Sequence, residues 1–384
     1  MGVDVLRRYY DAVVFAYGAS RTRKLGIPGE EMEGVYSAGD FVGWYNGLPS
    51  HRDRKFKLEG ENAVIIGHGN VALDVARILL TPTDILAKTD ITSYALEELK
   101  RSQVKNVTIV GRRGVLQASF TVKELRELTN IPNVKFNTTL PSDLPEPKSL
   151  PRVQQRIVQL LKKAPFIPAT VDKTCTIKFL LNPTRFIGDT HVTEVDFERQ
   201  QLVEPINPAS KIIATGDHVQ LKADLVFTSI GYTAIPLNGM SALHVDLIRG
   251  VIPNNAGRVI TTATKDFGYV DGDAAMKEQV PGMYCSGWVK TGPTGMIATT
   301  MLSAFETGDS LVQDWNEGKE FLEPQATEKG WEGLKQEIQS IGGNPVEWTG
   351  WKQIEKEENK RGSKVGKERE KMVDIQEMLD TIKT

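Results

Sequence analysis

The sequence predicts an α/β protein built on dinucleotide-binding domains of the doubly wound, Rossmann-like kind. Three observations carry this. Buried strands and helices alternate through the first half of the chain. One glycine-rich loop, "GHGNVALDVAR", stands between a predicted strand and a predicted helix. Two stretches, "DAVVFAYGAS" (Asp11–Ser20) and "ADLVFTSIGY" (Ala223–Tyr232), share one grammar: an acidic residue, an apolar strand, then glycine. Two closing strands with a single opening loop is an imbalance that any account of the chain has to explain.

Composition sets the outer limits. The chain has 384 residues, enough for two domains and a sizeable core. Hydrophobic residues are 40% and charged residues 25% of the total, which is ordinary for a globular protein. A formal net charge of -2 gives no global basic field, so nucleic acid is not an expected partner. No apolar run has the length of a membrane span. Cys175 and Cys285 are the 2 cysteines, far apart in sequence, which rules out a disulfide scaffold, a C-x-x-C redox pair and a cysteine zinc site. The 5 histidines (His51, His68, His191, His218, His244) make no ligand spacing, so no metal is expected. "MGVDVLRRYYD" lacks the apolar stretch of a signal peptide and makes no convincing transit peptide. Leu6 stands where myristoylation asks for Ser or Thr.

The elements follow in order. Residues 1–25 hold a first strand and its turn, and "IPGEEMEGVYSAGDFVGWYNGLPS" reads as a packed connector. "ENAVIIGHGN" is a buried strand that ends in Gly67. "NVALDVARILL" is helical up to Pro82, and "TSYALEELKRSQ" is a second helix. "VKNVTIVGRRG" is another buried strand. "TVKELRELTN" is a helix whose Thr121 and Glu124 have capping-box spacing. "VKFNTTLPSDLPEPKSLP" reads as a loop, and "RVQQRIVQLLKK" as an amphipathic basic helix. Residues 175–228 turn to strands: "TIKFLLNPTRFIG", "VTEVDFERQQLV", "KIIATG", "ADLVFTSIG". Beyond 320 the chain is charged and helical, with "EKEENKRGSKVGKEREK" read as a solvated surface segment.

The glycine loop has the chemistry of a phosphate cradle. Gly67, Gly69 and Ala72 fit G-x-G-x-x-A. The first glycine permits the tight turn, the second lets the backbone approach a pyrophosphate, and Ala72 keeps helix and strand close. The helix start then offers free N–H groups to the phosphates. An NAD site usually ends its second strand in a carboxylate for the ribose 2′-OH. Here that strand ends in Arg112 and Arg113, which suit a 2′-phosphate, and the expected cofactor is NADP. The bland alternatives are a ligand-free glycine turn and a solvated arginine pair.

Longer stretches carry a family resemblance. "DFVGWYNGLP", "GHGNVALDVARILLTP", "TDIT", "VGRRG", "FTVKELREL", "TSIGY", "GVIPNNAGRV", "PGMYCSGWVKTGPTGMIATTM" and "GKEREKMVDIQEML" are similar to the adrenodoxin reductase family, the mitochondrial NADPH–ferredoxin reductases. The likeness covers nearly the whole chain and is weakest at 162–222. It implies FAD and NADP on two doubly wound domains, with the NADP domain inserted in an FAD domain made from both ends of the chain. NADPH gives a hydride to the flavin, which passes single electrons to a [2Fe–2S] ferredoxin. A dithiol relay is not needed, in keeping with the cysteine count. The implied division is 1–25 as a late strand of the FAD domain, 26–250 as the NADP domain and 251–384 as the rest of the FAD domain plus a helical tail. The implied setting is the mitochondrial matrix, as a monomer with a peripheral place at the inner membrane.

The resemblance also assigns roles. His68, Gly69, Asn70 and Val71 match the pyrophosphate loop, beside Gly67. The family has a polar amide where His68 stands, and an imidazole there brings a charge that varies with pH. Arg112 and Arg113 match the 2′-phosphate clamp, and Glu124 a further NADP contact. Asp74 matches an acidic residue linked to proton movement near the flavin; its other reading is a helix residue paired with Arg77. Trp288, Gly295, Met296 and Ile297 match the flavin contacts. Arg126, Arg152 and Arg156 match a basic face that docks the acidic ferredoxin.

The imbalance of the two closing strands then has an explanation. The family's own opening loop for FAD should precede Asp11, so the chain is expected to be shortened at its N-terminus and to hold FAD weakly or not at all. Two other classes compete with the reductase. One is an NADP-binding fragment without redox activity. The other is a glutamate-synthase-like flavoprotein subunit, which shares the two-nucleotide plan but not "GWYNGLP" or "GWVKTGPTG".

Overall fold

The apolar run Asn62–Ile66 forms a strand inside a six-stranded sheet, and every pairing in that sheet is parallel. Across the sheet the strands are Val35–Ser37, Leu225–Thr228, Asn62–Ile66, Asn106–Val110, Lys173–Lys178 and Val134–Thr138. Parallel strands buried on both faces need apolar residues at successive positions, which is why these segments read as unbroken runs. Ala63 and Ile65 enter one apolar cluster, Val64 and Ile66 another. The first cluster is roofed by helices, among them Ala38–Tyr45, Asn70–Leu80, Ser93–Arg101, Val122–Thr129 and Arg152–Lys162. The second is covered by a three-stranded antiparallel sheet, Leu181–Gly188, Val192–Leu202 and Ile212–Lys222, through Phe186, Val195 and Phe197. Each fully buried side chain of this size contributes about 1.5–3 kcal/mol.

This computed structural model describes residues 2–383 apart from 142, 143, 145, 164–170, 205, 206, 208, 241–249, 263–276 and 296, and the chain divides into two units. The parallel sheet belongs to the unit made of 24–230 and 348–384. From Asn62–Ile66 the chain passes to Asn106–Val110 on one side, and its other neighbour is the late strand Leu225–Thr228. That reversal of order is a topological switch point, and the glycine loop lies at its carboxyl end.

The other unit comprises 1–23 and 231–347. Its sheet runs Val13–Phe15, Lys277–Cys285, Arg258–Thr262, Asn254–Asn255, with Val13 opposite Met283 and Phe15 opposite Cys285 in a parallel pair. "DAVVFAYG" is thus tied to a strand more than 260 residues later, as 283 against 13 shows. The edge strand leaves Val14 half exposed. The helix Ile297–Asn316 presents Leu302, Phe305 and Trp315 to solvent. Among the described residues no helix is long and apolar enough to cross a membrane.

Several elements differ from the sequence reading. Val134–Thr138, read as loop, is the sheet's edge strand; Val134 and Phe136 point inward and Lys135 outward. Five residues followed by Pro141 make a weak strand signal, and the neighbour Lys173–Lys178 supplies the ordering. The connector after Pro28 contains Val35–Ser37 and the helix Ala38–Tyr45, whose cap is Ser37 Oγ accepting from Gly39 N and Asp40 N. Tyr232–Thr233 pairs with Arg21–Thr22, within the unit of Val13–Phe15. The charged tail is docked rather than merely solvated. Lys367 is buried, its Nζ donating to Ile91 O at 2.8 Å and to Glu370 at 2.6 Å.

Candidate cofactor site

The loop 67–71 is set by its neighbours on the sheet. Gly67 N donates to Val110 O at 2.7 Å, and Ser229 N donates to Ile66 O at 2.7 Å. Gly67 has φ 131°, and a Cβ there would meet Ser229 O at 2.0 Å, so only glycine fits. Gly69 differs. It caps the helix Asn70–Leu80 with φ -97°, and a Cβ on it would meet only Ser119 Oγ, at 3.8 Å. Nothing within the protein demands a glycine at 69. A ligand that needs the backbone to come close does. No side chain caps this helix, so its first N–H groups are left for an acceptor from outside.

The segment 119–124 braces the loop. Ser119 N and Oγ donate to His68 O at 3.1 and 2.8 Å. Asn70 Oδ1 accepts from Thr121 N at 2.8 Å. Thr121 caps the helix Val122–Thr129, its hydroxyl accepting from Glu124 N and donating to the Glu124 carboxylate. The capping box is therefore real but altered, because Asn70, not Glu124, takes the Thr121 N–H. Glu124 sits beside the loop and spends one carboxylate oxygen on this cap.

His68 turns inward. Its ring lies 4.8 Å from that of Phe179, edge-on, and a Cβ on Gly111 would come 2.2 Å from Nδ1. Neither ring nitrogen makes a well-formed hydrogen bond among the described residues, the Lys178 backbone being its one polar neighbour that favours the charged ring. Burial pushes the imidazole down to about 4, so it stays neutral at physiological pH. The pH-dependent charge expected of this position is absent, and the ring does not face the helix start at Gly69, Asn70 and Val71.

Arg112 and Arg113 follow the strand Asn106–Val110 and are both exposed. Among the described residues neither has an ion-pair partner. They line a pocket of about 570 Å³ with Gln117, Ser210, Lys211 and Ile212, and among the described residues no carboxylate lines it. Sequence reasoning missed Gln117 and Lys211, since nothing in their local pattern marks them. Asp74 is paired: one oxygen accepts from Arg77 Nε at 3.1 Å and the other from the Tyr45 hydroxyl. Arg77 also reaches Glu127 at 3.8 Å. This is the paired arrangement, one of the two readings open from the sequence, and Tyr45 is a partner that the sequence did not reveal. Arg126, Arg152 and Arg156 are exposed on two helices that pack together, and none has an ion-pair partner among the described residues.

The other unit carries the second set of predicted residues. Trp288 opens a short helix after Gly287 and stacks on Tyr232, with ring centroids 6.2 Å apart. Lys290 is buried, its Nζ donating to Ser303 O at 2.9 Å, Thr307 Oγ1 at 3.0 Å and Glu306 at 2.6 Å. These bonds fix the Trp288 segment to the helix Ile297–Asn316. Gly295 has φ 89°, and Ile297 at the helix start is 90% exposed. Met296 lies outside the described residues. The exposed Ile297 and the Trp288–Tyr232 stack lie in the same unit. Cys175 and Cys285 are each buried, and burial pushes both thiols up to about 12.

Fold and site together define an α/β dinucleotide-binding oxidoreductase of flavoprotein-reductase architecture. No family model matches the chain. It is 41% identical over 391 residues to the mitochondrial NADPH:adrenodoxin oxidoreductase of Salvelinus fontinalis, covering 98% of this chain and 74% of that one. It is 41% identical over 392 residues to the human protein of the same name, covering 98% and 75%. Among solved structures, Mycobacterium tuberculosis FprA in complex with NADPH matches with TM-score 0.83 and 34% identity, covering 99% of this chain and 80% of that one. The chain belongs to the NADPH:adrenodoxin oxidoreductase family.

Proposed function

We propose that this protein is an FAD-dependent reductase that draws electrons from NADPH and delivers them to an adrenodoxin-like [2Fe–2S] ferredoxin. The observation that carries the reading is Arg112 and Arg113, unpaired in a pocket without a carboxylate, at the strand end next to the glycine loop. The N–H groups of Gly69, Asn70 and Val71 hold the pyrophosphate, with Gly69 leaving room for it. The two guanidiniums take the 2′-phosphate as bidentate donors. Glu124 and Asn70 hold the loop against the Thr121 cap. Asp74 acts by keeping Tyr45 and Arg77 in place, and no proton transfer is assigned to it.

FAD, when bound, would supply a ring system able to accept a hydride from NADPH and to give up electrons singly. Trp288, Gly295, Met296 and Ile297 are assigned to its ring. The two thiols, protonated at neutral pH, take no part. Arg126, Arg152 and Arg156 form the docking face for the acidic ferredoxin. Its relatives are mitochondrial by name, and the proposed site of action is the matrix, as a monomer lying against the inner membrane. The test is anaerobic mixing of the FAD-loaded protein with NADPH. Rapid loss of oxidised-flavin absorbance supports the reading, and an unchanged spectrum contradicts it.

A further inference from the structure

We propose that Lys211 is a third cation of the 2′-phosphate pocket and contributes to the preference for NADPH over NADH. This rests on the reading of Arg112 and Arg113 given above. Lys211 lies between the strands Val192–Leu202 and Ile212–Lys222 of the antiparallel sheet and shares one pocket with Arg112 and Arg113. The three side chains come from two separate parts of the chain. Among the described residues none of the three has a carboxylate within ion-pair distance. Like charges gathered around one solvent space repel, and an anion in that space relieves the repulsion. A phosphomonoester carries nearly two negative charges at neutral pH and can engage all three groups.

The backbone leading into Lys211 is also fastened. Gln117 Nε2 donates to Asn207 O at 2.9 Å, which fastens the turn to the stretch after Arg113. Ser210 N donates to the same carbonyl at 3.0 Å, and Ala209 N to Asn207 Oδ1 at 2.8 Å. Glu204 is the acidic residue of this turn. Its carboxylate accepts from Asn207 Nδ2 at 3.0 Å and does not line the pocket. Lysine supplies a point charge where the arginines supply planar forks, so the roles are not redundant.

Calorimetric titration of the FAD-loaded protein with 2′,5′-ADP and with 5′-AMP reads the 2′-phosphate alone, without turnover. Lys211→Gln is expected to weaken 2′,5′-ADP binding about fivefold, the size of a partly exposed charge contact, and to leave 5′-AMP unchanged. Lys211→Glu should weaken it further, Lys211→Arg should restore most of it, and added salt should narrow the difference. If Lys211→Gln and Lys211→Glu bind 2′,5′-ADP like the parent while Arg112→Ala loses affinity, the lysine has no role and the arginine reading stands. If the parent protein itself binds both nucleotides equally, the lysine and arginine assignments both fall.

Discussion

A Cβ on Gly67 would lie 2.0 Å from the carbonyl oxygen of Ser229, whereas a Cβ on Gly69 would meet nothing closer than 3.8 Å. The fold therefore requires glycine at 67 and leaves 69 free of that demand, and the proposed nucleotide site is what calls for glycine at 69. Gly67→Ala should destabilise the protein by more than about 3 kcal/mol, through the clash and the positive φ. Gly69→Ala should change stability by less than about 1 kcal/mol yet weaken NADP⁺ binding at least about tenfold. Thermal denaturation and equilibrium dialysis separate the two. Equal behaviour of the two variants in both assays would refute the distinction.

His68 makes the nucleotide unit sensitive to acid. Its folded value, about 4, lies below the ordinary 6.5, so the unfolded chain binds the extra proton first. The full stability is present above pH 6.5 and is lost as pH falls from there toward 4. The loss should be on the order of 1–3 kcal/mol, read by urea denaturation at a series of pH values. His68→Leu should flatten that part of the profile.

Asp314 does the corresponding work in the other unit. Its carboxylate is buried and accepts from Arg258 Nε at 2.8 Å, the Tyr284 hydroxyl at 2.9 Å and Lys319 Nζ at 2.9 Å. Although burial opposes the charge, Arg258 and the other donors win and hold the carboxyl well below its usual range. The stabilisation is present above the ordinary carboxylate range and is lost as pH falls below it. Asp314→Ala should cost about 3–5 kcal/mol, because Arg258 is then left uncompensated. A melting temperature unchanged by that substitution would contradict the assignment.

The basic face should act on the acceptor and not on the donor. Charge reversal at Arg126, Arg152 and Arg156 together should raise KM for a [2Fe–2S] ferredoxin at least about tenfold at low salt. NADPH-driven reduction of a small inorganic acceptor should stay at the parent rate. A ferredoxin KM that does not move would remove these arginines from the docking face.

The elements that were legible are those whose signal is local. The runs Asn62–Ile66 and Asn106–Val110 are apolar because the sheet buries them twice, and the Thr121–Glu124 spacing forms a cap in fact. Val134–Thr138 and the helix Ala38–Tyr45 were not legible. The first is ordered by pairing with a strand some forty residues on, as Phe136 opposite Cys175 shows, and the second has glycines inside an aromatic stretch. Within the site, the identity of His68 did not reveal that its ring packs under Phe179 instead of facing phosphate. Tyr45 and Lys211 reach Asp74 and the arginine pocket only through tertiary structure, which no spacing records.

In the proposed reaction electrons pass from NADPH to a [2Fe–2S] ferredoxin, with the 2′-phosphate recognised by Arg112 and Arg113. The most direct measurement is the rate of ferredoxin reduction by the FAD-loaded protein, with NADPH and NADH as donors, in the parent and in Arg112→Ala/Arg113→Ala. Turnover is expected with NADPH, with a kcat/KM for NADH at least about a hundredfold lower and that difference lost in the double variant. Equal use of the two donors by the parent, or no reduction of ferredoxin by either, would contradict it.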